Sequence, residues 1–257
     1  MAPSEPSKID VNENIHTDFE KAFQDGCQCQ YYVNDRGLQT IKFATYQIDK
    51  LVLLSGRLVA CDPLLEPDPN SAFIRSIQAG SYPVVLSLAD LSFRPERRIA
   101  CAMLQLTLQT PIRYELAILA PDQPSEYQNY GVDSGTGSFM DAEVARALKQ
   151  LSEPNSGEAA AVAVDRFKSE YVYCESVINA MQRNRAAAIS NEYPYDRKGD
   201  WANICIDENT GANVIAFGTG WGDGGYASYW GYDADGNIAC LVTDFALFGS
   251  DDEDDEE

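Results

Sequence analysis

The sequence predicts an α+β protein: an antiparallel, β-rich, sandwich-like domain with an inserted pair of helices and a short N-terminal helix. Three observations support this prediction. Runs rich in β-branched and aromatic residues, separated by Gly, Pro, Asp and Asn, occupy residues 30–120. Apolar residues then recur every three or four positions within residues 141–188, and strand-like runs return within 201–248. Strands, then two helices, then strands are typical of α+β proteins rather than of alternating βαβ units.

The first half of the chain is predicted to contain one short helix followed by strands. Ile15, Phe19 and Phe23 recur every four residues, which indicates an amphipathic helix that ends near Gly26. The strands that follow are predicted at Tyr31–Val33, Gln39–Tyr46, Leu51–Cys61, Tyr82–Leu88, Ile99–Leu108 and Tyr114–Ala120.

The second half is predicted to contain two helices and four strands. Asp141 can cap the first helix, and a longer apolar pattern from Val164 to Met181 indicates the second. The last strands are predicted at Trp201–Asp207, Asn213–Phe217, Tyr226–Tyr232 and Ile238–Phe245.

These elements predict a single domain over residues 30–248, because the last strands need the first group as pairing partners. Residues 1–29 are expected to form a leader and the short helix. Residues 249–257, which include the acidic run Asp251–Glu257, are expected to form a disordered tail.

The composition excludes several classes of function. The chain carries 19 Lys and Arg against 40 Asp and Glu, a formal net charge of −21, and this charge disfavours binding to nucleic acid or to anionic membranes. The only histidine is His16, so a zinc site with several histidines is excluded. No apolar stretch approaches the length of a membrane span, and the odd number of scattered cysteines is typical of reduced cytoplasmic thiols. We therefore expect a soluble cytoplasmic protein with no cofactor, and the candidate partner is a basic protein.

The most unusual segment is the glycine-rich run Gly218–Gly225. Its glycines at positions 220, 222 and 225 match the spacing of a dinucleotide-binding loop, but a strand-like run follows where that loop requires a helix. Two interpretations stay open. The segment is either a turn that uses the conformational freedom of glycine, or an exposed loop that presents Trp221, Asp223 and Tyr226 to a ligand.

Acidic residues supply the other candidate sites. Asp133 and Asp141 flank a run of small residues, so they could act as a carboxylate pair or, as ordinary alternatives, as a loop residue and a helix cap. Asp233 to Asn237, with Asp244 further on, approximates a calcium loop, but a hairpin turn explains the same residues. The candidate binding residues are therefore Asp133, Asp141, Trp221, Asp223, Tyr226, Trp230 and Asp244.

Three segments together resemble a known family. They are Leu54–Pro63, Gly131–Gly137 and the block from Gly220 through Tyr226 to Asp233, Gly236, Asp244 and Phe245. On these segments the chain resembles the bacterial domain-of-unknown-function family numbered 4241, over about residues 45–247. The resemblance implies a single cytosolic domain and supplies no catalytic residues.

Two functional hypotheses follow from the sequence. The first is a binding protein, such as an immunity or regulatory partner, that uses the glycine-rich loop 218–226. The alternative is a metal-assisted hydrolase built on Asp133, Asp141, Asp223 or Asp244. Convergence of three or more of these acids in one pocket would favour the hydrolase.

Overall fold

The computed structural model describes residues 17–33, 37–65, 67–91, 95–120, 128–155, 159–164, 166–189 and 195–248. Within these residues, strands form two sheets and three α-helices lie outside them. The predicted leader, Ile15, His16 and the acidic tail lie outside the described residues.

The larger sheet has nine strands in the described part of the chain. Its main path runs β1-β2-β4-β5-β13-β12-β6, while β7 pairs with β12 and β9 pairs with β5. Its pairings are antiparallel except that of β5 with β9. The strands are β1 (Gln28–Val33), β2 (Gly37–Leu53), β4 (Gly80–Leu91), β5 (Glu96–Gln105), β6 (Arg113–Leu116), β7 (Asn129–Val132), β9 (Tyr195–Asp196), β12 (Gly224–Tyr232) and β13 (Ile238–Asp244).

The smaller sheet and the helices complete the layers. The four strands lie in the order β10-β11-β8-β3, and every pairing among them is antiparallel. They are β3 (Leu58–Cys61), β8 (Thr136–Asp141), β10 (Trp201–Asp207) and β11 (Ala212–Gly218). The helices are α1 (Phe19–Ala22), α2 (Ala142–Ser152) and α3 (Glu170–Ala188).

Three apolar clusters give the order of the layers. The central cluster combines β4 and β12 of the larger sheet with β8 and β11 of the smaller one, so the main core lies between the sheets. A second cluster joins the outer face of the smaller sheet to α2 and α3. A third joins the outer face of the larger sheet to α1 and the segment 247–248. The predicted fold class, a β-rich sandwich with inserted helices, is confirmed.

The prediction of one strand over Leu51–Cys61 was wrong. The chain leaves the larger sheet at Leu53 and enters the smaller sheet at Leu58. Gly56 lies at the turn between them with φ +76°, and a Cβ there would come within 2.1 Å of the Ile77 carbonyl oxygen. Only glycine fits this turn, which carries the chain from one sheet to the other.

The segment Gly131–Asp141 contains the last two residues of β7 and all of β8. All six residues of β8 are buried, and this strand lies between β3 and β11. Small residues such as Gly137 and Ser138 fit there because the strand has packed neighbours on both faces. A Cβ on Gly137 would lie 3.0 Å from the Thr219 side chain.

The helix boundaries also differ from the sequence pattern. Helix α3 begins at Glu170 with Ser169 as its N-cap, so Val164 and Phe167 precede it and pack against the second cluster. Helix α1 has only four residues, and Asp18 caps it. Helix α2 begins after Asp141 as predicted. No helix in the described residues is long and apolar enough to cross a membrane.

We predict that residues 30–248 unfold as one cooperative unit. Strand β5 pairs with β4 on one side and with β13 on the other, so the two ends of this segment share one sheet. The calorimetric and van't Hoff enthalpies of unfolding should therefore agree. Two separable transitions would contradict the single-domain proposal.

We also predict that the cysteines stay unpaired and that their reactivity follows burial. All seven, each within the described residues, are free thiols in the structure. Burial raises the pKa of Cys61 to about 12 and that of Cys240 to about 12, so both remain protonated at neutral pH. Alkylation without reductant should label Cys27 and Cys205 first and reach Cys101 and Cys240 only after denaturation, because only these two of the seven are buried. Peptide mass mapping that finds a disulfide would contradict this prediction.

Candidate functional site

The glycine-rich loop joins β11 to β12 and has a fixed conformation. Its Thr219 amide donates to the Gly135 carbonyl at 3.2 Å, and the Thr219 hydroxyl donates to the Gly222 carbonyl at 2.6 Å. The Tyr226 hydroxyl donates to the same carbonyl at 2.6 Å. Burial raises the pKa of Tyr226, which keeps this hydroxyl protonated. The first of these bonds ties the loop to its neighbour, residues 133–135, and the other two hold the loop in its own conformation.

Two of the glycines are explained by close packing. A Cβ on Gly218 would lie 3.2 Å from the Asp200 side chain, and one on Gly220 would lie 2.9 Å from the Phe245 carbonyl oxygen. Gly222, in contrast, has φ +123° and nothing within 4 Å of where its Cβ would be. The loop is therefore packed at its base and open at its tip.

Trp221 is the exposed aromatic residue of the loop. Its side chain is 46% exposed, yet its Nε1–H donates to the Leu247 carbonyl at 3.1 Å. The guanidinium carbon of Arg98 lies 4.2 Å from the centroid of its ring. These two contacts fix the indole in an outward position.

A cleft of about 210 Å³ opens beside Trp221. Its walls come from the glycine-rich loop, the neighbouring loop, β5, the C-terminal half of α3 and the turn 197–199. The lining residues are Arg98, Ile99, Ser134, Gly135, Thr136, Met181, Arg185, Arg197, Asp200, Gly218, Thr219, Gly220, Trp221 and Gly222.

Ionised side chains form one wall of this cleft. Asp200, only 4% exposed, accepts from Arg185 Nε through Oδ1 and from an Arg197 terminal nitrogen through Oδ2, the latter at 2.9 Å. Arg98 donates to the Gly220 carbonyl at 2.9 Å and pairs with Glu96. Three guanidinium groups thus line a cleft in a strongly acidic chain.

Two of the predicted acids, Asp133 and Asp223, lie on the loops that line the cleft, each next in sequence to a lining residue, and this outer part of the two loops is called the rim. Asp133 and Asp223 are both exposed, and a Cβ on Gly135 would lie 4.0 Å from Asp223 Oδ1. Neither carboxylate lines the cleft itself. The rim therefore carries two exposed acids, whereas three arginines line the cleft itself.

Asp141 and Asp244 lie apart from the cleft, and each accepts hydrogen bonds from a different backbone segment. Asp141 accepts from the amides of Leu54 and Ser55 at 2.9 and 2.8 Å, and from the Glu143 amide at the start of α2. Asp244 accepts from the Thr17 amide and hydroxyl at 3.0 and 2.9 Å. Both carboxylates are used in holding backbone segments, so their prediction as binding residues has no support from the geometry.

Trp230 and Tyr226 also differ from the prediction. Trp230 is 2% exposed and belongs to the core between the sheets, where it packs edge-on against Phe73. Tyr226 is 5% exposed and contributes through its hydroxyl bond to the loop. Tyr226 supports the site from beneath and Trp230 lies outside it.

Carboxylates of the described residues do not converge on a metal position. No group of three or more His, Cys, Asp or Glu that could hold a metal ion occurs among them. Asp233 accepts from the Asp235 and Asn237 amides at 3.0 and 2.8 Å, which makes it the cap of the β12–β13 hairpin. The hairpin interpretation of this segment is confirmed, and the convergence that the hydrolase hypothesis requires is not found.

Comparison with known proteins identifies the family and gives no activity. Residues 51–243 match a family described as "Protein of unknown function (DUF4241)". The chain belongs to this family. The resemblance found on the sequence is confirmed, and no curated protein and no solved structure matches the chain.

The family match covers every residue that lines the cleft, from Arg98 to Gly222. It excludes α1, β1 and most of β2. It also stops before Leu247, which accepts the Trp221 hydrogen bond. The cleft is therefore part of the family domain, while one support for Trp221 comes from beyond it.

Sequence reasoning missed the charged wall of the cleft. Arg185 and Asp200 belong to no motif in the sequence. Arg98 lies in a strand-like run and carries no motif. No local signal joins these residues, since the structure brings them together from β5, α3 and the turn before β10.

We predict that Asp141→Ala destabilises the fold strongly, while Asp133→Ala does not. Loss of the Asp141 carboxylate leaves the amides of Leu54, Ser55 and Glu143 without their acceptor, and each such hydrogen bond contributes ~0.5–1.5 kcal/mol. We expect a decrease of about 3 kcal/mol in the free energy of unfolding for Asp141→Ala, against ~0.5 kcal/mol or less at exposed Asp133. Denaturant unfolding measures both, and equal effects would contradict the structural role of Asp141.

Proposed function

We propose that this protein is a non-enzymatic, soluble, cytoplasmic binding protein, an immunity or regulatory partner. Its recognition face consists of the glycine-rich loop Gly218–Gly225 and the neighbouring loop 133–135. The observation that carries this proposal is that Trp221 is exposed and yet fixed by two contacts.

A fixed, exposed Trp is suited to anchor a partner. Trp is enriched among the interface residues that dominate binding energy, and a side chain already held in place loses little rotamer entropy on association. Trp221 also borders a cleft, so a partner can pack against the indole and insert a group beside it. The recognition face therefore offers an apolar anchor and a polar recess together.

The acids around the face support a partner with basic groups at the rim. Asp133 and Asp223 are exposed on adjacent loops, and the chain carries a net charge of −21. Charge of this sign accelerates association with a basic partner and makes the rate fall as salt is added. We propose a basic protein as the partner for this reason.

The hydrolase alternative lacks support in the geometry. Asp141 and Asp244 are used as backbone acceptors on different parts of the fold. Asp133 and Asp223 remain as two exposed carboxylates on loops. The binding proposal requires only these two, together with Trp221.

The decisive test compares Trp221→Ala with Leu108→Ala. Leu108 is 91% exposed and does not line the cleft, so it controls for loss of an exposed apolar side chain. The wild type and Leu108→Ala should capture the same protein from a lysate of the source organism. Trp221→Ala should fail to capture it. With the purified partner, titration calorimetry should show about 30-fold or greater weakening, as expected for a hot-spot residue.

Charge reversal tests the nature of the partner. Asp223→Arg and Asp133→Arg should slow association with a basic partner and reduce its salt dependence, because they replace attraction by repulsion at the rim. Melting temperatures should change little, since both residues are exposed. Retained binding in Trp221→Ala, or faster association after charge reversal, would contradict the proposal.

A further inference from the structure

The cleft next to Trp221 has a charge opposite to that of the whole chain. The chain carries a net charge of −21, whereas arginines 98, 185 and 197 line this recess and Asp200 is the acid among its lining residues. The acidic composition of the chain does not predict a wall rich in arginine. This wall concentrates cationic hydrogen-bond donors in one concave place.

The pairing within the wall leaves one net positive charge. Arg185 and Arg197 share the single carboxylate of Asp200, which accepts one bond from each. A guanidinium group has five N–H donors, so each of these arginines keeps donors beyond its bond to Asp200. Their side chains are 46% and 37% exposed, whereas that of Asp200 is 5% exposed. The two arginine side chains are therefore the accessible part of this group, and the carboxylate is buried.

The packing of the turn 197–199 on α3 keeps the two arginines together. A Cβ on Gly199 would lie 2.4 Å from the Asn184 carbonyl oxygen and 2.6 Å from Arg185 Cα. The Asp200 amide also donates to the Arg197 carbonyl at 3.0 Å. Arg185 and Arg197 are therefore placed side by side before any ligand arrives, which lowers the entropic cost of binding.

The size of the cleft limits what it can take. Pockets for drug-sized ligands measure ~300–1,000 Å³, whereas this cleft measures about 210 Å³. It suits one small group rather than an extended molecule. Guanidinium groups match the planar carboxylate and the phosphate in hydrogen-bond geometry.

We propose that the cleft binds a single oxyanion group, a carboxylate or a phosphate, between Arg185 and Arg197. This inference rests on the proposed function and specifies the group that the partner inserts beside Trp221. Asp200 orients the two arginines and also competes with the incoming anion. The acidic rim then selects partners in which the oxyanion is flanked by basic groups.

The test uses inorganic phosphate and acetate as probes on the intact chain, with chloride holding the ionic strength constant. Two-dimensional NMR titration should show saturable shifts at residues 134–136 and 218–222 and at the arginine Nε–H groups. Saturation by phosphate alone assigns a phosphate group, and saturation by both anions assigns a carboxylate as well. No saturable shift at the cleft with either anion would overturn the proposal.

Variants separate recognition from simple stabilisation. Arg185→Gln and Arg197→Gln should each weaken anion binding about tenfold or more, because each removes a charge-assisted bond. Asp200→Asn should tighten binding, because it removes the competing negative charge while keeping the side-chain shape. Arg113→Gln is the control, since Arg113 is paired with Glu115 and does not line the cleft. Equal affinity in all four variants would overturn the proposal.

Two further measurements distinguish loss of anion binding from unfolding and from failure of the proposed function. The first is the melting temperature of each variant without ligand. If Arg185→Gln fails to fold, Arg185→Lys serves in its place, because it keeps the charge and loses the planar fork, and it should still weaken binding. Loss of partner capture in Trp221→Ala with no anion binding in the wild type would leave the proposed function intact and reject the oxyanion inference.

Discussion

The buried carboxylate of Asp141 is the interaction on which the arrangement of the two sheets depends. It is fully buried and accepts from the Leu54 amide, the Ser55 amide and hydroxyl, and the Glu143 amide. A carboxylate removed from water needs such partners to offset its desolvation. The groups that donate to it lie where the chain crosses from the larger to the smaller sheet and where α2 begins. One side chain therefore fixes the crossover, the end of β8 and the start of a helix.

Asp200 plays a related part at the cleft. Its backbone carbonyl accepts from the Gly218 amide at 2.8 Å, where the glycine-rich loop begins. Its carboxylate holds Arg185 on α3 and Arg197 on the preceding turn. The same residue thus joins the loop wall to the helix wall. The buried Asp200 carboxylate holds Arg185 and Arg197 side by side in the wall of the cleft. Its single negative charge neutralises only one of the two arginines.

The sequence predicted features that depend on local chemistry. Asp141 as a helix cap and Asp233 as a hairpin cap use side-chain bonds to amides two to four residues away. An exposed Trp221 was one of the two interpretations that the sequence left open for the glycine-rich loop, and Trp221 is exposed. In these cases the residues that decide the structure are adjacent in the chain, so their pattern can be read directly.

Features that depend on distant segments were missed or misplaced. The break at Gly56 is set by the Ile77 carbonyl and the Asp141 carboxylate, which an apolar run from Leu51 to Cys61 does not reveal. The burial of Trp230, in contrast, could have been predicted from the alternation of residues along its strand. In β12, Tyr226, Trp230 and Tyr232 belong to the core between the sheets, while Tyr229 belongs to the cluster on the other face. The two-residue period of a strand would have placed Trp230 inside.

The glycines of the recognition face have a packing role, and this role is compatible with binding by Trp221. Gly218 and Gly220 are needed because the backbone passes close to Asp200 and Phe245. This close passage seats the loop firmly, and Trp221 then projects from a base that cannot easily shift. Immobilising a flexible side chain at an interface costs ~0.5–1.5 kcal/mol, a cost reduced here by the Leu247 and Arg98 contacts made during folding. Tight packing beneath the loop therefore makes the exposed Trp221 suitable for recognition. The packing role of Gly218 and Gly220 thus supports a binding role for Trp221.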